Sequence, residues 1–380
     1  MILIGIILGG VVVLVTALYL HVKSKMNFWK ERGIAQEPGY FPFGSQTSWD
    51  LFQQKLAFTQ ITNRAYENHP NALLVGEYGF LGRPMAVIRD LDLAKQILIK
   101  DFDYFTDRKP AAVTSPHTKN NKYFRKMLIE LMGKEWKQTR AVLTPIFTSG
   151  KLKAMVPLIH KVADECISHL EGLCGQDIEG KELMKDFALD VIVSTGFGYD
   201  NNSYKNPENA FKKNADLLIG KKMSIKQMIT FFLLVSAPKF FKFFDLQVFN
   251  NDAEKFFASM VLQSIDERKK SGMRRNDLID LVQDVVIKEE QKINNEKYSE
   301  EINETKQEQE EEKYKWTMEE LQEVLVSNSL LMFLAGFDTV STAAGVSLYF
   351  LAKHPDYQER LYQEVSKACL LYTSPSPRDS

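Results

Sequence analysis

From Val324 to Ala352 the chain carries one charged residue, Asp338. A run this long and this poor in charge either crosses a bilayer or lies buried through the middle of a large domain. Ser327, Asn328, Ser329, Thr339, Ser341, Thr342 and Ser347 dilute its hydrophobicity. A carboxylate at mid-span costs ~3 kcal/mol in lipid even on a lenient scale. The balance favours a long helix through the centre of a soluble body. Thr317-Met318-Glu319-Glu320, just upstream, fits a capping box and predicts where that helix starts.

A second run is free of charge altogether. Met1 to Val22 contains no Asp, Glu, Lys or Arg, and Lys23, Lys25, Lys30 and Arg32 follow. As a helix the run spans roughly 30 Å, enough to cross a bilayer. The charge comes after the apolar stretch and no small-residue cleavage pattern is seen, which predicts a retained signal anchor. The basic flank puts the body of the chain on the cytosolic side. Pro38-Gly39, Pro42 and Gly44 read as a stiff link. Leu73 to Tyr78 and Met85 to Ile88 predict a β-hairpin, with Asp90 or Asp92 capping a helix to about Lys100. Apolar spacing of three and four predicts helices over Gly133 to Thr144, Leu152 to Leu173, Lys181 to Gly196 and Asp252 to Lys270.

Composition excludes several classes. With 44 % hydrophobic and 26 % charged residues the chain is neither disordered nor collagenous. Lys+Arg of 48 against Asp+Glu of 49 leaves no basic field for nucleic acid. Cys166, Cys174 and Cys369 are too few for a disulfide scaffold, and His160, Cys166, His169 and Cys174 fit no common zinc spacing. Ile229 to Phe249 holds Phe231, Phe232, Phe240, Phe241, Phe243, Phe244 and Phe249 beside Lys239 and Lys242. It reads either as core or as a loop dipping into a membrane surface, its lysines snorkelling to headgroups. Lys288 to Lys315, rich in Glu, Lys, Asn and Gln, reads as a solvated insertion.

Two constellations carry chemistry. Ala335-Gly336-Phe337-Asp338-Thr339 sets an acid and an alcohol in an otherwise apolar wall, with two small residues lowering the helix profile. A buried carboxylate needs a reason, because desolvation without a partner is expensive. A mid-helix Thr can bond back to the carbonyl four residues earlier. Acid and alcohol together relay protons; the alternative is an Asp satisfied by a neighbouring Arg and a Thr that merely packs. Trp136 and Arg140, four apart, share a helix face and offer an indole N–H and a guanidinium to a carboxylate-bearing ligand. The alternative is a surface Arg stacked on a half-buried Trp. No GxSxG, Walker loop, GxGxxG or HExxH is present.

These motifs, in this order, resemble the cytochrome P-450 family of haem-thiolate monooxygenases, in its microsomal, xenobiotic-metabolising animal branch. Ala335 to Thr339 resembles the oxygen-activation motif, and Trp136 with Arg140 the helix that contacts a haem propionate. Phe105-Thr106-Asp107-Arg108-Lys109-Pro110 resembles the segment supplying a second propionate-binding residue, Arg108. Phe187 to Gly198 and His354 to Val365 are similar to further family helices.

The resemblance implies a mainly α fold: a membrane anchor, then a helical bundle around a long central helix with a small N-terminal β-sheet. It divides the chain into an anchor (1–22), a basic Pro/Gly hinge (23–45), a partial catalytic domain (46–368) and a non-native tail (369–380). It implies haem (iron protoporphyrin IX) held with help from Arg108, Trp136, Arg140, Ala335 and Gly336. It implies proton relay by Asp338 and Thr339, O2, and an apolar small-molecule substrate. NADPH-derived electrons arrive through a reductase at the endoplasmic reticulum membrane.

Two departures modify this. Val340 stands where the family often has a second Thr or Ser. The ExxR helix and the FxxGxRxCxG haem loop are absent, and Cys369 leads only into Leu370 to Ser380, which resembles a translated adapter tail. The expectation is an incomplete fold without its thiolate ligand, inactive as written, whose central helix keeps an exposed apolar face. The competing expectations are a membrane-tethered, non-catalytic interaction protein and a two-span membrane protein.

Overall fold

The structure is a computed structural model that describes residues 2–45, 58–107, 121–219, 224–236, 246, 248–288, 291 and 316–373. In chain order the helices are α1 (Ile2–Lys25), α2 (Phe58–Asn68) and α3 (Leu91–Lys95), then α4 (Lys122–Arg125), α5 (Gly133–Leu143), α6 (Ser149–Glu171) and α7 (Gly180–Ile192). They continue with α8 (Ala210–Ile219), α9 (Ile225–Ser236), α10 (Asn251–Ser271), α11 (278–288), α12 (Met318–Lys353) and α13 (Pro355–Thr373). Strands β1 (Leu74–Gly79) and β2 (Arg83–Ile88) form the one sheet among the described residues. The chain divides into two compact units, residues 1–108 with 232–241, and 109–231 with 242–380.

In the first unit α1 presents Ile6, Leu8, Val11 to Val15, Leu18 and Leu20 to the outside. Taken singly, two described helical segments are long and apolar enough to cross a membrane, Leu8–Arg32 and Met318–Lys353. The protein buries 6 % of the apolar window of the first and 56 % of the second. The hairpin forms as expected, in antiparallel register from Leu74 opposite Ile88 to Gly79 opposite Arg83. The segment expected to be a stiff link lies along β1. Trp29 Nε1 donates to the Glu77 carbonyl at 3.0 Å, and a Cβ at Gly76 would meet the Trp29 ring at 2.2 Å. Only glycine lets that indole lie on the strand. The Tyr78 hydroxyl donates to Gln36 Oε1 at 2.7 Å. Asp90 caps α3 by accepting from Leu93 N, and a wider turn carries the chain from Gln96 to Lys100.

In the second unit α12 is the axis. Its capping box is present: Thr317 Oγ1 accepts from Glu320 N, and Glu320 Oε2 accepts from Thr317 N. Val324 to Leu330 are buried on all sides. The polar residues that argued against a membrane are satisfied internally. Asn328 Oδ1 accepts from Leu128 N at 2.9 Å and its Nδ2 donates to Val324 O at 2.7 Å. Ser329 donates to Leu325 O at 3.0 Å. The described phenylalanines supply much of the core: Phe197, Phe257, Phe333 and Phe337 contact one another at ring centroids 4.2 to 5.6 Å apart. From the Phe-rich stretch, Phe249 stacks on Phe124 at 4.4 Å; 237–245 and 247 lie outside the described residues, as do 289–290 and 292–315 of the polar insertion.

Helix α7 lies against α12, and small residues set the distance. A Cβ on Gly345 would come 3.0 Å from the Lys181 Cα. Gly345→Val is expected to destabilise the unit by about 1–3 kcal/mol, because backbone cannot yield as a side-chain tip can. A thermal melt unchanged within error would refute that packing.

Two buried acids hold loops in place. Asp190 accepts from Ser203 N, Ser203 Oγ and Asn201 Nδ2. Glu254 accepts from Tyr123 N, Phe124 N and Asn121 Nδ2, closing the start of α4. Burial raises both carboxyls above their ordinary pKa, against the pull of those hydrogen bonds. Folding therefore tightens their protons. Their share of stability is smallest above the folded pKa and grows as pH falls toward the unfolded value. Over the pH range in which these two carboxyls take up protons, acidification is expected to raise the melting temperature, and Glu254→Gln to flatten that rise. A wild-type melting temperature that falls over this range would contradict it.

Candidate functional site

The helical period sorts the second half of α12 into two faces. Phe333, Phe337, Ser341 and Gly345 are buried, and Gly336 lies against α7, where an added Cβ would stand 3.3 Å from Ile192 Cδ1. Ala335, Asp338, Thr339, Ala343 and Val346 are exposed, with Thr342 half-buried among them. Asp338 is therefore not the buried carboxylate its apolar neighbours in sequence suggested. The contacts made by α7 choose which face is covered, and Asp338 is on the other. Its carboxylate has no ion-pair partner among the described residues. Among the described residues no Arg neutralises this Asp.

Thr339 does bond back: its hydroxyl donates to the Ala335 carbonyl. Ser341 donates to the Asp338 carbonyl at 3.0 Å. With its proton committed inside the helix, the Thr339 oxygen is left as an acceptor on an exposed residue. Thr342, Ala343 and Val346 extend this face. Counting three, four and seven from Thr339 would have found them, whereas reading five consecutive residues did not.

On α5, Trp136 is half-buried and Arg140 exposed, one turn apart. Thr139 between them is fully buried, with a hydroxyl that finds no partner among the described residues. Arg108 lies outside the described residues.

The cysteines are elsewhere. Cys166 is buried on α6 and Cys174 is exposed beyond it. Burial first, then a hydrogen bond to the Cys166 thiol, pushes the Tyr204 phenol far above its ordinary pKa. The Cys369 side chain lies outside the described residues.

A family model described as Cytochrome P450 matches residues 74–372, which includes both constellations. The chain belongs to the cytochrome P450 family. Among curated proteins it is 30 % identical over 369 residues to the Drosophila melanogaster protein named "Probable cytochrome P450 6a20", covering 95 % of this chain and 66 % of that one. It is 29 % identical to cytochrome P450 9b2 of the same fly, covering 94 % and 65 %. It is 30 % identical to cytochrome P450 6k1 of Blattella germanica, covering 93 % and 64 %. The chain thus spans just under two thirds of the length of these relatives. The mostly helical architecture with one small sheet is consistent with a P450 fold.

A P450 implies haem, and the donors present fit part of that group. Arg140 carries an exposed guanidinium, the chemistry a propionate would need. The face bearing Ala335 and Thr339 carries small and hydroxylated side chains, with a neighbouring carboxylate. Neither Cys166 nor Cys174, on and beyond α6, lies on this face, so neither would supply the thiolate that haem iron needs there.

Proposed function

We propose that this chain belongs to a haem-dependent monooxygenase that inserts one oxygen atom of O2 into apolar small molecules, with NADPH-derived electrons delivered by a reductase. The observation that carries the reading is the open face of α12, where Asp338 and Thr339 stand exposed beside Ala335 while the opposite face is packed. Haem bound through a thiolate would supply the oxygen activation. The resemblance assigns that thiolate to a haem-loop cysteine, a motif that none of Cys166, Cys174 and Cys369 matches.

The chain's own residues have narrower tasks. Arg140 holds a carboxylate by a charge-assisted hydrogen bond, with the Trp136 indole one turn away; Arg108 is assigned the second propionate by resemblance. Thr339, its proton held by Ala335 O, accepts a hydrogen bond from a water or hydroxyl on the open face. Asp338 exchanges protons with solvent and passes them toward that acceptor. Ala335 leaves room beside the helix backbone.

Haem titration tests this. Removing Arg140 takes away a hydrogen bond to a charged group, so Arg140→Ala is expected to weaken haem retention by about tenfold or more. Equal retention by both proteins would count against the assignment.

We place the protein at the endoplasmic reticulum membrane, anchored by α1 with its body in the cytosol. The uncovered apolar surface of α1 followed by Lys23, Lys25, Lys30 and Arg32 supports this. Resistance to alkaline carbonate extraction is the check. The second reading, a membrane-tethered interaction protein without catalysis, is favoured by one observation. Tyr349 and Phe350 on α12 and Tyr357 and Tyr362 on α13 are large apolar side chains left exposed. A protein that takes up no haem yet remains monomeric and folded would favour that second reading.

A further inference from the structure

We propose that the cavity between the end of α1 and the β1–β2 turn binds the headgroup of an anionic phospholipid. This rests on reading α1 as a membrane anchor.

The cavity measures 530 Å³. Phe28, Phe80 and Leu81 form an apolar wall, and Lys25 and Arg83 stand at the rim with Glu31. Lys25 and Arg83 are exposed, and neither has an ion-pair partner among the described residues. Their neighbours are engaged. Lys23 lies over the Tyr19 ring at 5.8 Å. Arg32 lies over the Phe28 ring at 3.6 Å and donates to the Phe28 carbonyl. Two unused cations against one carboxylate leave the cavity wanting an anion.

The turn that carries Arg83 is seated on the last turn of α1. Val22 is 1 % exposed, and a Cβ on Gly82 would come 3.0 Å from the Val22 carbonyl oxygen. Gly82 has φ +72° and Leu81 φ +56°, and Leu81 N donates to Pro42 O at 2.7 Å. Two left-handed residues in succession make a tight turn that stays in place, so Arg83 is held against the end of the helix that bears Lys25. Lys25 is the last residue of α1, where an anchor leaves the apolar phase. Phospholipid phosphates occupy that level, and anionic leaflets draw basic residues there. The apolar wall suits the glycerol and first acyl carbons, which a free phosphate lacks.

Native mass spectrometry of the detergent-solubilised full chain provides the test. The probes are short-chain phosphatidylserine, short-chain phosphatidylcholine and inorganic phosphate. The expected result is phosphatidylserine retained about tenfold more tightly than phosphatidylcholine. Lys25→Gln with Arg83→Gln should erase that preference, Lys23→Gln should leave it, and Glu31→Gln should strengthen it. Equal retention of the two lipids, or a preference that survives the double variant, overturns the proposal. Displacement by equimolar inorganic phosphate does so too, by making this a free-anion site. Carbonate extraction from phosphatidylcholine vesicles, with and without phosphatidylserine, reads the anchor separately. A chain that resists extraction but shows no lipid preference defeats the cavity alone; a chain that extracts defeats the anchor and the cavity with it.

Discussion

Arg268→Ala is expected to destabilise the second unit by about 3–5 kcal/mol, the usual cost of stripping one partner from a buried ion cluster. Arg268 is 4 % exposed, and Asp277 and Asp280 are 0 % and 1 % exposed. Its guanidinium donates to both oxygens of Asp277 at 2.5 and 2.6 Å and to Asp280 at 2.7 Å. Burial alone would lower the guanidinium pKa, but these partners raise it above its ordinary value. Without it, two buried carboxyl groups lose the guanidinium that pairs them. Asp280 also accepts from Arg275 N and Asn276 N, so the loop leading into α11 loosens as well. Gly198 makes room for the cluster. It has φ +77°, and a Cβ there would stand 1.9 Å from Arg268 Nη2, so Gly198→Ala is expected to cost a comparable amount. Urea unfolding in detergent measures both. In a double-mutant cycle, Arg268→Ala with Asp277→Ala should lose less than the two single losses added together. A loss below about 1 kcal/mol for Arg268→Ala would show the cluster to be solvated rather than buried.

Thr339→Ala is expected to leave stability nearly unchanged and to damage chemistry. The side chain is exposed and its hydrogen bond runs to its own helix, so its removal leaves no cavity. In a complete, haem-loaded enzyme with its reductase, the ratio of product to NADPH consumed should fall by about a hundredfold, the lower end of what a positioned proton-transfer group contributes. Thr339→Ser keeps the hydroxyl and the bond to Ala335, and should retain most of the coupling. Asp338→Asn keeps size and exposure but cannot exchange a proton, and should slow turnover without changing haem retention. An unchanged product ratio in Thr339→Ala would remove Thr339 from the relay. A large loss of melting temperature would instead make its role structural.

How much of this was legible follows the range of each interaction. The capping box at Thr317 and Glu320, the hairpin, and the Asp90 cap were readable because their partners lie three to fifteen residues apart. The helices over 149–171 and 251–271 match their periodicity to within a few residues. Asp338 was misjudged, because a carboxylate flanked by apolar residues reads as buried when helix faces are not separated. Gly336 was legible as a residue that lowers the helix profile, yet what approaches it is Ile192 of α7. The Glu254 clamp on α4 could not have been foreseen: its partners lie 130 to 133 residues away, and nothing local marks that glutamate as different from its neighbours.

The sequence by itself determined that a long, nearly uncharged helix would form the axis of the body, where it would start, and that its polar residues would need internal partners. It also determined the family, because that signature resides in residue types at fixed spacing. Only the tertiary structure decided which face of the axis is covered, that Asp338 and Thr339 stand open, that the Pro/Gly segment lies along β1, and that Arg83 meets the end of α1. The reason is physical. Periodicity and capping depend on backbone geometry within a few residues, whereas burial depends on which distant segment arrives against a face, and no local pattern specifies that.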